Sequence, residues 1–227
     1  MLKQYRLKNY HFQLVLYMVV LTIIGILLIG SAKESVQSKQ IVGFVVGLTI
    51  MIVISLVDYS FLLKFVWIYY IGMLVLLLFV IFAGDDSHGA QRWFKIGSIR
   101  FQPSELAKII LILFFAYFFS RFEDSINTVR TLVFSVIFAG IPLFLILKQP
   151  DNSTTILTAL IFAALLFISG LSYKIIMPVL GVSVPIVLIV ISYIYTHADA
   201  LIKKGFYPAT RIMSWLDPTN YADTAAQ

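Results

Sequence analysis

The sequence predicts an all-α polytopic membrane protein with seven transmembrane helices, and three observations carry that reading. The 227 residues are 60% hydrophobic and only 12% charged, with a mean hydropathy of +0.96, whereas soluble domains carry about 25% charge. Charge-free apolar stretches run at 12–30, 41–57, 65–82, 131–147, 152–170 and 175–195, and a further one at 104–120 is broken only by Glu105 and Lys108. Each is close to the roughly 20 residues that cross a hydrocarbon core of about 30 Å as a helix. The charged residues gather between the stretches. A soluble globular enzyme, a disordered chain and a coiled coil are thereby excluded. With no cysteine, a disulfide scaffold, a thiolate metal site and a Cys nucleophile are excluded too. Three histidines leave little for a His-rich metal centre. The net charge of +6 points to anionic lipid headgroups before nucleic acid.

The elements follow in order. Lipid offers backbone amides no partners, so each apolar run must close its own hydrogen bonds as a helix. The run 12–30 follows Lys3, Arg6 and Lys8, as a signal peptide would, but its core is long and no small-residue cleavage site follows, which predicts a retained helix. Asp58, after the second run, is expected to cap a turn. The segment 120–130 reads as a plain solvated connector. Gly72, Pro142, Pro178, Gly181 and Pro185 fall inside helices, which membrane spans tolerate. The tail 197–227 is too polar to span. Its Leu201, Ile202, Phe206, Ile212, Met213, Trp215 and Leu216 predict short interfacial helices. Seven spans put the termini on opposite sides, and the basic N-terminal segment favours an inside N-terminus. The raw Lys/Arg count opposes this choice. The balance reverses once the unusual segments 84–108 and 197–227 are set aside.

Three polar islands then share one membrane face. The first, 84–108, reads GDDSHGAQRWFKIGSIRFQPSELAK and is expected to be an ordered loop with tight glycine turns, leading into a helix. Trp93 and Phe94 beside Arg92 and Lys95 suit an interfacial belt. Pro103 and Glu105 fit a first helical turn, where a missing N–H costs nothing and the helix dipole favours an anion. Lys108 lies one turn deeper on the same face, and a cation there needs a partner or a wet cavity. Glu105 is the natural partner, and the two are expected to form a buried pair. The second island is 148–154, KQPDNST, and the third is 197–227.

GAQRW at 89–93, FQPSELAK at 101–108, KQPD at 148–151 and RIMSWLDP at 211–218 resemble, in register, the signatures of the SEDS family (shape, elongation, division and sporulation), nearest to its rod-shape elongation branch. The resemblance implies a ten-helix fold. Residues 1–195 would supply seven helices with outer loops at 84–104 and 148–153, and 196–227 would begin the large extracellular loop. It implies polymerisation of lipid II into glycan strands beside a class B penicillin-binding protein. It places the protein in the bacterial plasma membrane as a multi-pass protein with a cytoplasmic N-terminus. By motif position, Arg92, Trp93, Arg100, Gln102, Glu105, Lys108 and Asp151 become the substrate or cavity residues, and Lys95 joins the cations facing a pyrophosphate. Two departures stand out. Asn152, Ser153 and Thr154 replace the family's Leu-Gly-Thr. The family's catalytic aspartate is expected beyond Gln227, so no catalytic residue is assigned within this chain, which is expected to be a truncated and catalytically incomplete form.

The chemistry has room for a divalent cation, but no ligand cluster supports one; no other cofactor, no metal ligand and no nucleic-acid partner is implied. Two other function classes fit the same features. A lipid-linked precursor flippase would also place Glu105 and Lys108 in a membrane cavity. A non-catalytic membrane fragment, or half of a split gene, would also end inside the loop.

Overall fold

The computed structural model describes residues 11–87, 90–96, 99–203, 205–217 and 221, and their side chains apart from 85–87, 90–92, 95–96, 99–100 and 207. The basic residues Lys3, Arg6 and Lys8 lie outside it, as do His88, Gly89, Gly97 and Ser98. The chain divides into two compact units, Met1–Arg121 with Val133–Leu165, and Phe122–Leu132 with Leu166–Gln227.

The first unit begins with α1 (Phe12–Ala32) and α2 (Glu34–Ser55), a helical hairpin with Lys33 alone at its tip. The two helices pack on each other, and neither buries a residue within the chain. The Gln37 amide donates to the Ile26 carbonyl at 3.4 Å, and Gly30 lies against the same amide, where a Cβ would collide with it. α2 starts seven residues before the apolar run that announced it. Its first two turns carry Glu34 and Lys39, and a charge-free window cannot register a helix that begins beyond the apolar zone. Asp58 caps the short α3 (Tyr59–Lys64), accepting from the Ser60 amide at 2.9 Å, rather than closing an isolated turn.

α4 (Val66–Ala83) and α5 (Pro103–Arg121) form the centre of this unit. α4 buries Val66, Tyr70, Met73, Leu77 and Val80, and α5 buries Ala107, Leu111, Phe114 and Phe118 among others. Steps of three and four put each set on one helical stripe. Lipid is as apolar as leucine, so such helices associate through close packing rather than through water exclusion. Aromatic rings supply that packing. Tyr70 stacks on Phe114 at 4.4 Å, Trp67 meets Phe114 edge-on at 5.0 Å, and Phe138 of α6 (Val129–Lys148) meets Phe114 at 5.5 Å. Phe115 reaches Phe162 of α7 (Asn152–Ile168) at 4.8 Å. The Tyr70 hydroxyl, 3% exposed with its residue, donates to the Phe138 carbonyl at 2.9 Å.

Between α4 and α5 the segment expected as an ordered loop pairs into an antiparallel meander of β1 (Asp85–Ser87), β2 (Ala90–Ile96) and β3 (Ile99–Phe101), and the turns expected at Gly89 and Gly97 lie outside the described residues. Polar–apolar alternation is confined to the three-residue pieces Phe94-Lys95-Ile96 and Ile99-Arg100-Phe101, too short to give a period-two signal. The meander is anchored by Phe94, which stacks on Phe79 of α4 at 5.5 Å.

The second unit contains a 3-10 turn at Glu123–Ser125, α8 (Tyr173–Thr196), α9 (Ala198–Lys203) and α10 (Tyr207–Leu216). The connector read as plain is tied down. The Asn127 carboxamide accepts from the Ser172 amide at 2.7 Å and donates to the Gly170 carbonyl at 3.5 Å. Gly170 has φ +88°, which a side chain would strain. α10 is a short helix, as expected, burying Ala209 and Met213 while Trp215 is 81% exposed. The Tyr221 hydroxyl donates to the Asp199 carboxylate at 2.8 Å, and this bond raises the phenol above its ordinary pKa.

Among the described residues, six helices are long and apolar enough to cross a membrane: α1, α2, α4, α5, α6 and α8. The helix at the remaining apolar run, α7, has 17 residues, about 25 Å at about 1.5 Å per residue.

Candidate functional site

Two of the motif segments, far apart in sequence, are joined at the start of α5. Gln102 immediately precedes that helix, and its amide donates to Asp151 Oδ2 at 2.7 Å. Asp151 is 3% exposed and immediately precedes α7. Its Oδ1 accepts from the Thr154 amide at 3.2 Å, satisfying one of the donors that a helix start leaves open. The Thr155 hydroxyl donates to the Asp151 carbonyl at 2.8 Å. Asp151 thus caps the start of α7 through the Thr154 amide, with Asn152 and Ser153 in the first turn.

Two further buried polar residues belong to this region. Gln149, 2% exposed, donates to the Leu77 carbonyl of α4 at 3.1 Å, while its Oε1 has no partner. Ser104, fully buried in the first turn of α5, has an unpartnered hydroxyl. Neither was singled out from the sequence. Gln149 lay inside the KQPD island, but a Gln beside a Pro-Asp turn reads as a solvated residue. Nothing local signals that its amide reaches another helix.

Glu105 and Lys108 pair as expected, with Nζ at 2.9 Å from Oε1 and 2.8 Å from Oε2. The expectation that the pair is buried is corrected. The Lys108 side chain is 17% exposed, but that of Glu105 is 56% exposed. The reason is helical phase: Ala107 and Leu111 face α4, whereas Glu105 shares its side of α5 with the exposed Ile109 and Ile112.

The meander places the other candidates by register. Lys95 lies directly opposite Arg100, Phe94 opposite Phe101, and Trp93 opposite Asp85. Arg92 is in β2. The side chains of Arg92, Lys95 and Arg100 are outside the described set, and the Trp93 side chain is partly exposed. Among the described residues, no group of three or more His, Asp or Glu is placed to hold a metal ion.

A family model described as cell cycle protein, FtsW/RodA/SpoVE, matches residues 5–226. The chain belongs to the FtsW/RodA/SpoVE family. Within this family it is similar to the peptidoglycan glycosyltransferase MrdB of Escherichia coli, at 32% identity over 90% of this chain and 54% of MrdB. It is also similar to the peptidoglycan glycosyltransferase RodA of Treponema pallidum, at 30% identity over 77% of this chain and 42% of that protein. Two solved structures share the fold. The rod shape determining protein RodA of Thermus thermophilus matches with a TM-score of 0.67 at 24% identity, covering 76% of this chain and 58% of that chain. A chain from a peptidoglycan synthase complex, studied for its coordination of polymerization and crosslinking, matches with a TM-score of 0.71 at 22% identity, covering 93% of this chain and 60% of that chain. The FtsW/RodA/SpoVE chain described here spans about half the length of its curated relatives, 54% in the case of MrdB.

Proposed function

We propose that this chain forms the donor-binding part of a peptidoglycan glycosyltransferase that polymerises lipid II into glycan strands. The observation that carries the reading is the junction of the FQPSELAK and KQPD segments through Gln102 and Asp151, with the Glu105–Lys108 pair one turn along α5. In the reaction, an acceptor sugar hydroxyl attacks the anomeric carbon of a lipid-linked chain. The new glycosidic C–O bond forms as the bond to the pyrophosphate breaks, and undecaprenyl pyrophosphate leaves with the electron pair. A carboxylate base takes the hydroxyl proton. Cations offset the charge that develops on the departing pyrophosphate. Arg92, Lys95, Arg100 and Lys108 are suited to that second task. Like charges directly opposite each other in a sheet destabilise it, so the register of Lys95 against Arg100 favours an anion held between or above them. Asp151 is ill-suited to be the base, since both its oxygens already accept hydrogen bonds. By the family resemblance, the base belongs to the large loop beyond Gln227.

The same reading makes α7 the seventh span. It puts 84–104, 148–153 and the loop from 196 outside a bacterial plasma membrane, with the N-terminus in the cytoplasm. It gives the protein a class B penicillin-binding protein as partner, to crosslink the strands it makes. The test is incubation of purified lipid II with this 227-residue chain and with a version extended to the length of its relatives. The extended protein should yield a glycan ladder, and the 227-residue chain should bind lipid II without turnover. Movement of lipid II across a vesicle membrane by the extended protein, with no ladder, would replace polymerisation by transport.

A further inference from the structure

The turn at 149–151 sends its two polar side chains to different helices. Gln149 reaches back to the Leu77 carbonyl of α4, and Asp151 receives the Gln102 amide from the start of α5 while capping α7. Four helices, α4 to α7, are therefore fastened at one end by two residues on either side of Pro150. We propose that Gln149 is a positioning residue for the glycosyl-transfer site: it holds α4 at Leu77, in the half of the helix that leads into the strand meander. This proposal rests on the function proposed above.

The energetic argument is an asymmetry. Leu77 lies inside α4, where its carbonyl already accepts the helical ladder bond from four residues on. Deleting the Gln149 amide therefore orphans nothing. It also removes Oε1, a buried acceptor without a partner, which offsets part of the about 0.5–1.5 kcal/mol net worth of the lost hydrogen bond. Stability alone thus gives little reason for an amide at this place. What the amide does supply is a directional link, 3.1 Å long, between the α6–α7 turn and a point on α4 two residues before Phe79, the ring on which Phe94 of β2 stacks. Through that stack, the position of β2, with Arg92 and Lys95, follows the position of α4. On the other side of Pro150, Asp151 sets the start of α5 and hence Glu105 and Lys108. One turn thus holds both sets of cations in a common frame.

The test uses Gln149→Leu, with Gln149→Met as a second variant in case one packs poorly. The chain has no cysteine, so spin labels can be introduced at Phe82 and Leu147, both exposed, on α4 and α6. In the 227-residue chain in lipid nanodiscs, both variants should melt within about 4 °C of the parent, as a change near 1 kcal/mol implies for a chain of this size. Their 82–147 distance distribution should broaden or shift. In the extended protein, kcat should fall about 10- to 100-fold at nearly unchanged KM, because misplacement of reacting groups costs rate before binding. A melting temperature lowered by more than about 10 °C in both variants would make the amide a plain stability element and overturn the proposal. So would parental distances, or parental kcat, in both. If the parental extended protein makes no glycan at all, the functional reading fails, while the distance measurement still decides whether Gln149 positions α4.

Discussion

Replacing Lys108 with Met separates two roles that an ion pair inside a membrane helix can have. A sealed pair loses about 3–5 kcal/mol when one partner is removed, because the other charge is left without compensation. The geometry here is different: the Glu105 side chain is 56% exposed and that of Lys108 17%, at 2.8 and 2.9 Å. The carboxylate can recruit water or a lipid headgroup once the ammonium is gone. The pair then resembles a surface bridge, worth about 0–1 kcal/mol. Met keeps the volume of the aliphatic stem against its neighbours. For a chain of this length that predicts a fall in melting temperature of less than about 4 °C, against about 6–20 °C for a sealed pair. On the proposed function, lipid II binding should nevertheless drop about 10-fold, because one charge-assisted contact to the pyrophosphate, worth about 1.5–3 kcal/mol, would be lost. Scanning fluorimetry in detergent and binding of labelled lipid II to nanodiscs read the two quantities on one preparation. A melting shift above 10 °C, or unchanged lipid II affinity, would refute the reasoning.

Other outcomes are equally specific. Tyr70→Phe removes the hydroxyl that donates to the Phe138 carbonyl at 2.9 Å and should cost about 0.5–1.5 kcal/mol, read by thermal melting. Phe115→Ala empties a fully buried site that touches Phe114, Phe119 and Phe162, and should cost about 3–5 kcal/mol in the same assay. Asn127→Ala should leave global melting nearly unchanged but speed amide exchange at Ser172, whose N–H it currently occupies. Single cysteines at positions 5, 90 and 220 should react with a membrane-impermeant reagent from outside at 90 and 220 only. Reaction at 5 would overturn the proposed orientation.

The helices were legible because lipid imposes one rule on every residue, that backbone groups must be satisfied within the segment. A charge-free run therefore reports a helix directly, as at 65–82 and α4. Where the helix outruns the apolar zone the rule is silent, and the first two turns of α2, with Glu34 and Lys39, were missed. The meander was missed for another reason: β2 reads Gln-Arg-Trp-Phe-Lys-Ile after Ala90, and its pairing depends on neighbours rather than on alternation. At the candidate site, the pairing of Glu105 with Lys108 was legible from their spacing, but its exposure was not, because burial depends on where α4 lies around α5. The contact of Gln102 with Asp151 spans 49 residues. Two short motifs predicted that both ends matter, while only the fold brings them within a hydrogen bond.

The α1–α2 hairpin has a consequence for biogenesis. Its helices touch each other, neither buries a residue against the rest of the chain, and a single residue, Lys33, joins them. The pair can therefore reach its final form while later segments are still being synthesised. Gln37 meeting the Ile26 carbonyl beside Gly30 sets the axial register of the two helices within the nascent chain. On the proposed orientation, with the N-terminus in the cytoplasm, the cost of that early insertion is concentrated at the tip, where Lys33, Glu34 and Lys39 would be carried through the bilayer together. Lys33 and Glu34 are adjacent and of opposite sign, so the translocated tip bears a net charge smaller than its count of ionised groups, which eases its passage before any other helix is present to shield it.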